Sequence, residues 1–292
     1  MNLQRRIENA ITEITGETAR FSQARTIPGG SINASSIVSM EDGRRFFVKT
    51  HPESCRYPGM FTAEFQGLSL LAAPGAIRVP HAVVCAEDFI VMEAFTTAAR
   101  GPDWQELMGQ RLALLHHATR RESFGFDGDN YLGTTIQPNA WMDRWVDFWR
   151  ERRLGWQLQL FSHSTNADDK LLALGEQLLA RLDDLLGDVD EPAVLLHGDL
   201  WSGNAAADEK GEPIIFDPAC YYGQREAEIG MMRLFGGFGP RCEAAYDEVW
   251  PLLPGADRRI TLYRLYHELN HLNLFGAGYY NTCIATMRQL LQ

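Results

Sequence analysis

The stretch HGDLWSGN, residues 197–204, begins where an apolar run over 193–197 ends. A second apolar run, over 213–217, ends in the same way on a carboxylate, Asp217. Short apolar runs bounded by polar residues are typical of buried strands. We therefore predict that the two runs form a short pair of strands, with the polar stretch as a tight loop at their common end.

The polar loop has the spacing H-x-D-L-x-x-x-N, which is the form of a kinase catalytic loop. In that chemistry Asp199 accepts the proton of the attacking hydroxyl, and Asn204 binds a magnesium ion. Asp217 is predicted to supply a further magnesium ligand, because carboxylate and amide oxygens suit this hard cation. Asp and Asn side chains also stabilise turns, so a purely structural role for Asp199 and Asn204 stays open at this stage.

A lysine and a glutamate upstream stand in the order that a nucleotide-binding site requires. Lys49 closes the strand-like segment 46–49, and Glu64 lies in 61–71, where apolar residues recur at three and four. In kinases a strand lysine grips the α- and β-phosphates, and a helix glutamate orients it. A lysine at a strand end is usually just solvated, and the matching Glu64 favours the functional interpretation.

Two further segments are candidates for nucleotide contacts. Gly29, Gly30 and Ser31 lie in a turn whose backbone N–H groups can approach phosphates, although a plain hairpin turn explains two glycines nearly as well. Met92 and Glu93 end a strand just before the sequence pattern changes, and backbone groups there are predicted to bind adenine. The second assignment rests on position alone.

The pattern of elements predicts an α+β fold with two lobes, a small antiparallel β-lobe and a larger, mainly helical lobe. Up to about residue 95, turns and apolar segments predict a five-stranded antiparallel sheet with one inserted helix, after an amphipathic helix over 2–15. Long helical stretches follow over 104–118, 141–153, 170–186 and in segments from 241 to 291. We place a nucleotide-binding lobe at 1–95 and a lobe with catalytic, metal and acceptor sites at 96–292.

Composition narrows the classes of partner. The net charge is −11, and basic residues occur in short pairs, which argues against nucleic acid and anionic membranes. The sequence has no secretion signal and no run of about 18 apolar residues that would cross a membrane. The 5 cysteines, without CxxC spacing, indicate free thiols in a reducing compartment. We expect a cytoplasmic protein of undetermined oligomeric state.

The motifs resemble those of the fructosamine (ketosamine) kinases, which are relatives of aminoglycoside and choline phosphotransferases with a protein-kinase-like fold. The stretches that carry this resemblance are the catalytic loop, DPACYYGQREAE at 217–228 and MMRLFGGF at 231–238. The tryptophan after Asp-Leu and the string DPACYYG separate this family from the wider phosphotransferases. The resemblance extends over nearly the whole chain.

The resemblance implies an ATP- and Mg²⁺-dependent kinase that phosphorylates a sugar hydroxyl, typically at C3 of a ketose joined to an amine. This reaction favours release of the sugar and so repairs glycated amines, and the substrate would be a small-molecule or protein-bound ketosamine. Trp201, Tyr221, Tyr222 and Glu226 are predicted to contact the acceptor, although such aromatic residues more often pack in a core.

Two other functions are compatible with the residues. One is a related phosphotransferase for an aminoglycoside, choline or a thio-sugar, against which the string YYG at 221–223 argues. The other is a catalytically silent kinase-like binding protein, which would lack the base, a metal ligand or the lysine, and all are present. No A-P-E motif follows Asp217, so control by phosphorylation of an activation segment is not expected.

Overall fold

The computed structural model of the protein describes residues 2–28, 33–187 and 189–292. Up to Glu93 it consists of an N-terminal helix and a five-stranded sheet into which one helix is inserted. In chain order these elements are α1 (Leu3–Thr15), β1 (Phe21–Ile27), β2 (Ala34–Met40), β3 (Arg45–Thr50), a 3₁₀ turn (Ser54–Arg56), α2 (Met60–Ala72), β4 (Ala82–Cys85) and β5 (Phe89–Glu93).

The sheet has the strand order β1-β2-β3-β5-β4, and every neighbouring pair is antiparallel. This confirms the predicted five-stranded antiparallel sheet with one helix between its third and fourth strands. Successive side chains of a strand point to opposite faces. Phe89 and Val91 of β5 therefore pack in a small core with α1, whereas Ile90 and Met92 face α2 and join the main core of the molecule.

The rest of the described chain is mainly helical and confirms the α+β class. Its helices are α3 (Trp104–Ala118), α4 (Trp145–Phe148), α5 (Gly155–Ser162), α6 (Asp169–Ala180), α7 (Leu182–Leu186), α8 (Glu226–Leu234), α9 (Pro240–Val249), α10 (Ala256–Phe275) and α11 (Tyr280–Leu291). A π-helical segment, Trp149–Leu154, joins α4 to α5, and a 3₁₀ turn, Ala277–Tyr279, precedes α11. The helix predicted over 141–153 was wrong at both ends, because it begins at Trp145 and continues to Ser162.

The short strands of this part form three two-stranded ladders. They are β6 (Asn130–Leu132), β7 (Thr135–Gln137), β8 (Val194–Leu196), β9 (Ala205–Ala207), β10 (Pro213–Ile215) and β11 (Tyr221–Gly223). The predicted pairing of the two apolar runs with each other is wrong, since β8 pairs with β11 and β10 pairs with β9. Strands of three residues are too short to show alternation, so sequence could not reveal β9 or β11.

The main core contains apolar side chains from both parts of the chain. Phe61 and Leu68 of α2 belong to the same buried cluster as the three residues of β8 and as much of α10. The helix that carries Glu64 is thus packed against the part of the chain that carries the catalytic loop. Within the described residues, no helix is both long and apolar enough to cross a bilayer.

Candidate active site

Lys49 and Glu64 meet as predicted. Alternation along β3 places Phe46 and Val48 on the α1 side of the sheet, so Lys49 points to the opposite side, toward α2. There its Nζ donates to Glu64 Oε1 at 2.7 Å, and both side chains are buried. A buried lysine requires a charged partner, which Glu64 provides. Lys49 also forms an ion pair with Asp217, and so connects the sheet to the end of β10.

The side chains of Asp199 and Asn204 contact each other, and Asn204 also lies close to the main chain of Asp217. Asn204 Nδ2 donates to Asp199 Oδ2 at 2.9 Å and to the Asp199 carbonyl at 2.8 Å, and it lies 3.5 Å from the Asp217 carbonyl. Because this nitrogen is directed at Asp199, the oxygen of the same amide is the atom that can bind a cation. Asp199, Asn204 and Asp217 thus form one cluster with Lys49 at its edge.

The backbone at the site adopts uncommon conformations. Gly198 has a φ of +80°, and a Cβ on it would lie 2.1 Å from the Ala219 carbonyl oxygen, so only glycine fits. Asp217 is the single described non-glycine residue with a positive φ, +66°. The Ala219 N–H donates to the His197 carbonyl at 2.8 Å. The catalytic loop and the segment after Asp217 therefore interlock through their main chains.

Burial raises the pKa of Asp199 to about 8. The hydrogen bond from Asn204 and the charge of Lys49 act in the opposite direction, and the nearby Glu228 carboxylate adds to the rise. A carboxylate whose pKa lies near neutrality suits the role of a proton acceptor, because it holds a proton more readily than an ordinary aspartate. A bound cation would favour its ionised form.

Glu228 contacts the catalytic loop directly, and the sequence interpretation missed it. It lies on α8, is 1% exposed, and its carboxylate accepts hydrogen bonds from the backbone N–H groups of His197 and Gly198. His197 is itself buried, and its Nε2 lies 2.9 Å from the Phe216 carbonyl oxygen. Glu228 therefore holds the start of the catalytic loop. Its signal was the acidic pair in REAE at 225–228, from which the interpretation chose Glu226.

A buried polar network, also missed, holds the segment that follows Asp217. Asn130 donates to the Cys220 carbonyl at 2.7 Å, and Gln137 donates to the Ala219 carbonyl at 3.1 Å. Gln137 also donates to Asn130 Oδ1 at 2.8 Å. These two side chains come from the hairpin of β6 and β7. Buried amides need partners, and here the partners include the carbonyl groups two and three residues after Asp217, the predicted metal ligand.

Three of the four predicted acceptor residues lie in the protein interior. Glu226 is 1% exposed, and both of its carboxylate oxygens accept hydrogen bonds from Arg259 at 2.7 Å. Tyr221 and Tyr222 are also buried, with the guanidinium groups of Arg153 and Arg121 over their rings. The assignment of these three to acceptor binding is corrected, because burial and internal partners leave them unavailable to a ligand.

Trp201 differs from the other three because it is 36% exposed and lies on the catalytic loop, two residues after Asp199. It remains a candidate for acceptor binding.

The structure describes only some of the residues predicted to contact the nucleotide. Gly29, Gly30 and Ser31 lie outside the residues that the structure describes. Met92 is buried in β5, between Phe47 and Ala82 of the neighbouring strands.

The N–H and the side chain of Glu93 form hydrogen bonds within the protein. Its N–H donates to the His81 carbonyl at 2.8 Å, and its carboxylate accepts from Arg78 at 2.6 Å. An adenine contact at this position therefore cannot use the Glu93 N–H. Arg78 also binds Asp208 and Glu209, and so ties the end of the sheet to the turn between β9 and β10.

The cluster fits a magnesium ion that takes most of its ligands from elsewhere. Among the residues described, no group of three or more His, Cys, Asp or Glu side chains is arranged to hold a metal alone. Mg²⁺ usually binds to one or two protein carboxylates and takes its other ligands from phosphates and water. Asp217, whose side chain is 41% exposed, and the amide oxygen of Asn204 match that requirement.

The fold is of the protein-kinase-like class. A macrolide 2'-phosphotransferase has the same fold, with a TM-score of 0.61 at 14% identity over 98% of this chain and 96% of that one. A protein from Thermobifida fusca named as a fructosamine-3-kinase is nearer, with a TM-score of 0.89 at 32% identity over 98% of both chains.

The family follows from the sequence of the whole chain. The fructosamine kinase family model matches residues 3–292. A probable ketoamine kinase of Synechocystis sp. is 38% identical over 98% of this chain and 96% of its own length. A chloroplastic protein-ribulosamine 3-kinase of Oryza sativa is 39% identical over 95% of this chain and 81% of its own. The chain belongs to the fructosamine kinase family and is a kinase.

Proposed function

We propose that this protein transfers the γ-phosphoryl group of ATP, in the presence of Mg²⁺, to the O3 hydroxyl of a fructosamine- or ribulosamine-type ketosamine. The reaction would destabilise the bond between sugar and amine and so repair glycated amines. The observation that carries the proposal is the convergence of Lys49, Asp199, Asn204 and Asp217 at the ends of β3, β8 and β10. The names of similar kinases support the substrate class.

Each member of the cluster has a role that its position supports. Lys49, held by Glu64, binds the α- and β-phosphates. Asp217 and the amide oxygen of Asn204 would hold Mg²⁺, which neutralises phosphate charge when bound. Asp199 takes the proton of the attacking sugar hydroxyl as the new O–P bond forms, and the bond from the γ-phosphorus to the bridging oxygen breaks. Trp201 stacks on the sugar beside the base.

These roles assign a different function to each lobe. Residues 1–95 would bind the nucleotide, with backbone N–H groups of Gly29, Gly30 and Ser31 binding the phosphates and backbone groups near Met92 close to adenine. Residues 96–292 would supply the base, the metal ligands and the acceptor site. We place the activity in the cytoplasm, because the 5 cysteines are free thiols, as suits a reducing compartment.

A substrate panel tests the proposal. Purified protein is given ATP and Mg²⁺ with ribulosamine, erythrulosamine, fructosamine, simple ketoses, an aminoglycoside and choline, and the product is mapped by phosphorus and proton NMR. We expect phosphate at C3 of a ketosamine. Phosphorylation of the aminoglycoside or choline instead, with no ketosamine accepted, would show that the substrate class is wrong.

The role of Asp199 is tested by Asp199→Asn. We expect turnover to fall by about 10²- to 10⁴-fold, the usual contribution of a general base, while ATP binding measured by titration is kept. Asp103→Asn is the matched control, because Asp103 is an exposed aspartate just before α3. Near-normal turnover of Asp199→Asn would remove Asp199 from the proposed mechanism.

A further inference from the structure

Five aromatic rings form a continuous row that starts at the catalytic loop. Trp201 contacts Phe235 with ring centroids 5.7 Å apart, and Phe235 contacts His271 at 4.9 Å. His271 in turn contacts Phe275 at 5.5 Å and Tyr279 at 5.1 Å. We call these five residues the aromatic row. The successive centroid distances from Trp201 to Phe275 add up to about 16 Å, which is the upper limit of the length of the row.

Three of the five rings are exposed to solvent, including those at the two ends of the path from Trp201 to Phe275. Trp201 is 36% exposed, Phe235 is 41% exposed and Phe275 is 56% exposed. The rings come from four places: the catalytic loop, the end of α8, one face of α10 and the 3₁₀ turn after it. Large exposed apolar side chains that lie scattered over a surface need no explanation, but a contiguous set beside a reaction centre indicates a binding surface.

Close packing fixes the row to the catalytic loop. The Trp201 ring lies over Gly203, where a Cβ would fall 2.2 Å from the ring. The chain just after Phe235 is equally close, because a Cβ on Gly237 would lie 2.2 Å from Ser202 Cβ. The row therefore keeps a fixed position relative to Asp199.

We propose that the aromatic row binds the polypeptide that carries the ketosamine, as an extended segment with an apolar side chain near the modified lysine. The inference rests on the proposed function and specifies its substrate as a glycated protein or peptide. An extended chain advances about 3.3–3.6 Å per residue, so the row has room for at most four or five residues. A free ketosamine would reach only the ring nearest to the base.

Two other occupants fit the row less well. A second copy of the chain bound there would cover Trp201 and obstruct the site next to Asp199. An anionic membrane surface is disfavoured by the net charge of −11. Planar rings contribute large contact areas with few rotatable bonds, which suits recognition of varied apolar side chains.

The test compares three substrates that carry the same ribulosamine group. They are N-α-acetyl-ribulosyl-lysine, a nine-residue peptide with leucine or phenylalanine on both sides of the ribulosyl-lysine, and the same peptide with serine at those positions. For the wild-type protein we expect kcat/KM to be at least about fivefold higher for the apolar peptide than for the other two, because two or three ring contacts together are worth about that factor.

Phe275→Ser removes the most exposed ring of the row. We expect this variant to lose the preference through a higher KM, with kcat/KM for the free amino acid unchanged. Leu114→Ser is the matched control, since Leu114 is 50% exposed and lies on α3, outside the row. Thermal unfolding of both variants confirms that the fold is retained.

Four outcomes overturn the proposal. Equal kcat/KM for all three substrates would leave the kinase function intact and remove the docking role. An equal loss with Phe275→Ser on the free amino acid would assign the row to the small acceptor. A wild-type dimer in sedimentation that Phe275→Ser dissociates would assign it to self-association. Phosphorylation of none of the three would remove the proposed function together with the inference.

Discussion

Replacing Glu228 by glutamine perturbs the catalytic loop through a single buried carboxylate. In the wild type this carboxylate accepts hydrogen bonds from the N–H groups of His197 and Gly198. Glutamine keeps one acceptor oxygen but turns an NH₂ group toward the second N–H donor, so at least one buried donor loses its partner. A hydrogen bond to a charged group contributes about 1.5–3 kcal/mol, and a buried unsatisfied donor costs about 1–3 kcal/mol. We expect Glu228→Gln to lower the free energy of unfolding by about 3 kcal/mol.

The same change should slow catalysis more than its effect on stability explains. Because Gly198 and Asp199 are adjacent, displacement of the loop start moves the base relative to Asn204, with which it forms a 2.9 Å hydrogen bond. Misplacement of a catalytic group by about 1 Å can cost roughly 10²-fold in rate. We therefore expect kcat to fall by about 10- to 100-fold under conditions where the variant is fully folded.

Glu226→Gln is the matched control for this prediction. Glu226 lies on the same helix, is equally buried, and also accepts two hydrogen bonds, but its partner is Arg259 instead of the catalytic loop. Its replacement should cost a similar amount of stability and leave kcat within about threefold of the wild type. Urea unfolding gives the stabilities, and steady-state kinetics at saturating ATP gives kcat. Equal kcat values for the two variants would refute the role of Glu228 in placing the loop.

Three further predictions concern the lysine, the loop glycine and a buried histidine. Lys49→Met should raise the KM for ATP by at least about tenfold while the protein still unfolds cooperatively, and unchanged nucleotide kinetics would count against the phosphate-binding role. Gly198→Ala should lower the free energy of unfolding by several kcal/mol, because the new Cβ meets a carbonyl oxygen. Gly16→Ala, at φ +73° with open space around it, should lower it by only about 1 kcal/mol. Equal losses of the two variants in urea unfolding would contradict this. Burial lowers the pKa of His267 to about 3, so below its ordinary value of 6.5 the unfolded chain binds a proton that the folded protein excludes. Below pH 6.5 this residue should lower the free energy of unfolding by about 1.4 kcal/mol for each unit that the pH falls. Between pH 6.5 and 5, the free energy of unfolding of His267→Gln should therefore fall by about 2 kcal/mol less than that of the wild type. Parallel pH profiles of the two proteins in urea unfolding would show that His267 does not titrate in this way.

The sequence predicted the site residues whose position is determined by a strand or by the end of a strand. Asp199, Asn204 and Asp217 follow apolar runs, so their place beyond strand ends could be predicted. Alternation along β3 predicts the side of the sheet to which Lys49 points. The partner of Lys49 could also be predicted, because Glu64 lies on the helix that directly follows the strand.

The parts that sequence missed depend on the phase of a helix and on contacts between distant segments. Glu226 and Glu228 are two positions apart on α8 and so point in different directions, and nothing in REAE reveals which of them faces the catalytic loop. Tyr221 and Tyr222 stand beside a catalytic motif but belong to a strand of three residues buried on both faces. Asn130 and Gln137 lie more than eighty residues from the carbonyl groups that they hold.

The packing of α2 has a consequence for engineering. A Cβ on Gly67 of this helix would lie only 3.1 Å from Cys220 Sγ and 3.2 Å from Pro218, so the helix rests directly on the chain after Asp217. A chimera that joined residues 1–95 of this protein to the remainder of a relative would bring together two surfaces that had not evolved as a pair. Such a hybrid should become soluble only when the residues of α2 and of the chain after Asp217 that contact each other are exchanged together. The two lobes should not be producible as separate fragments.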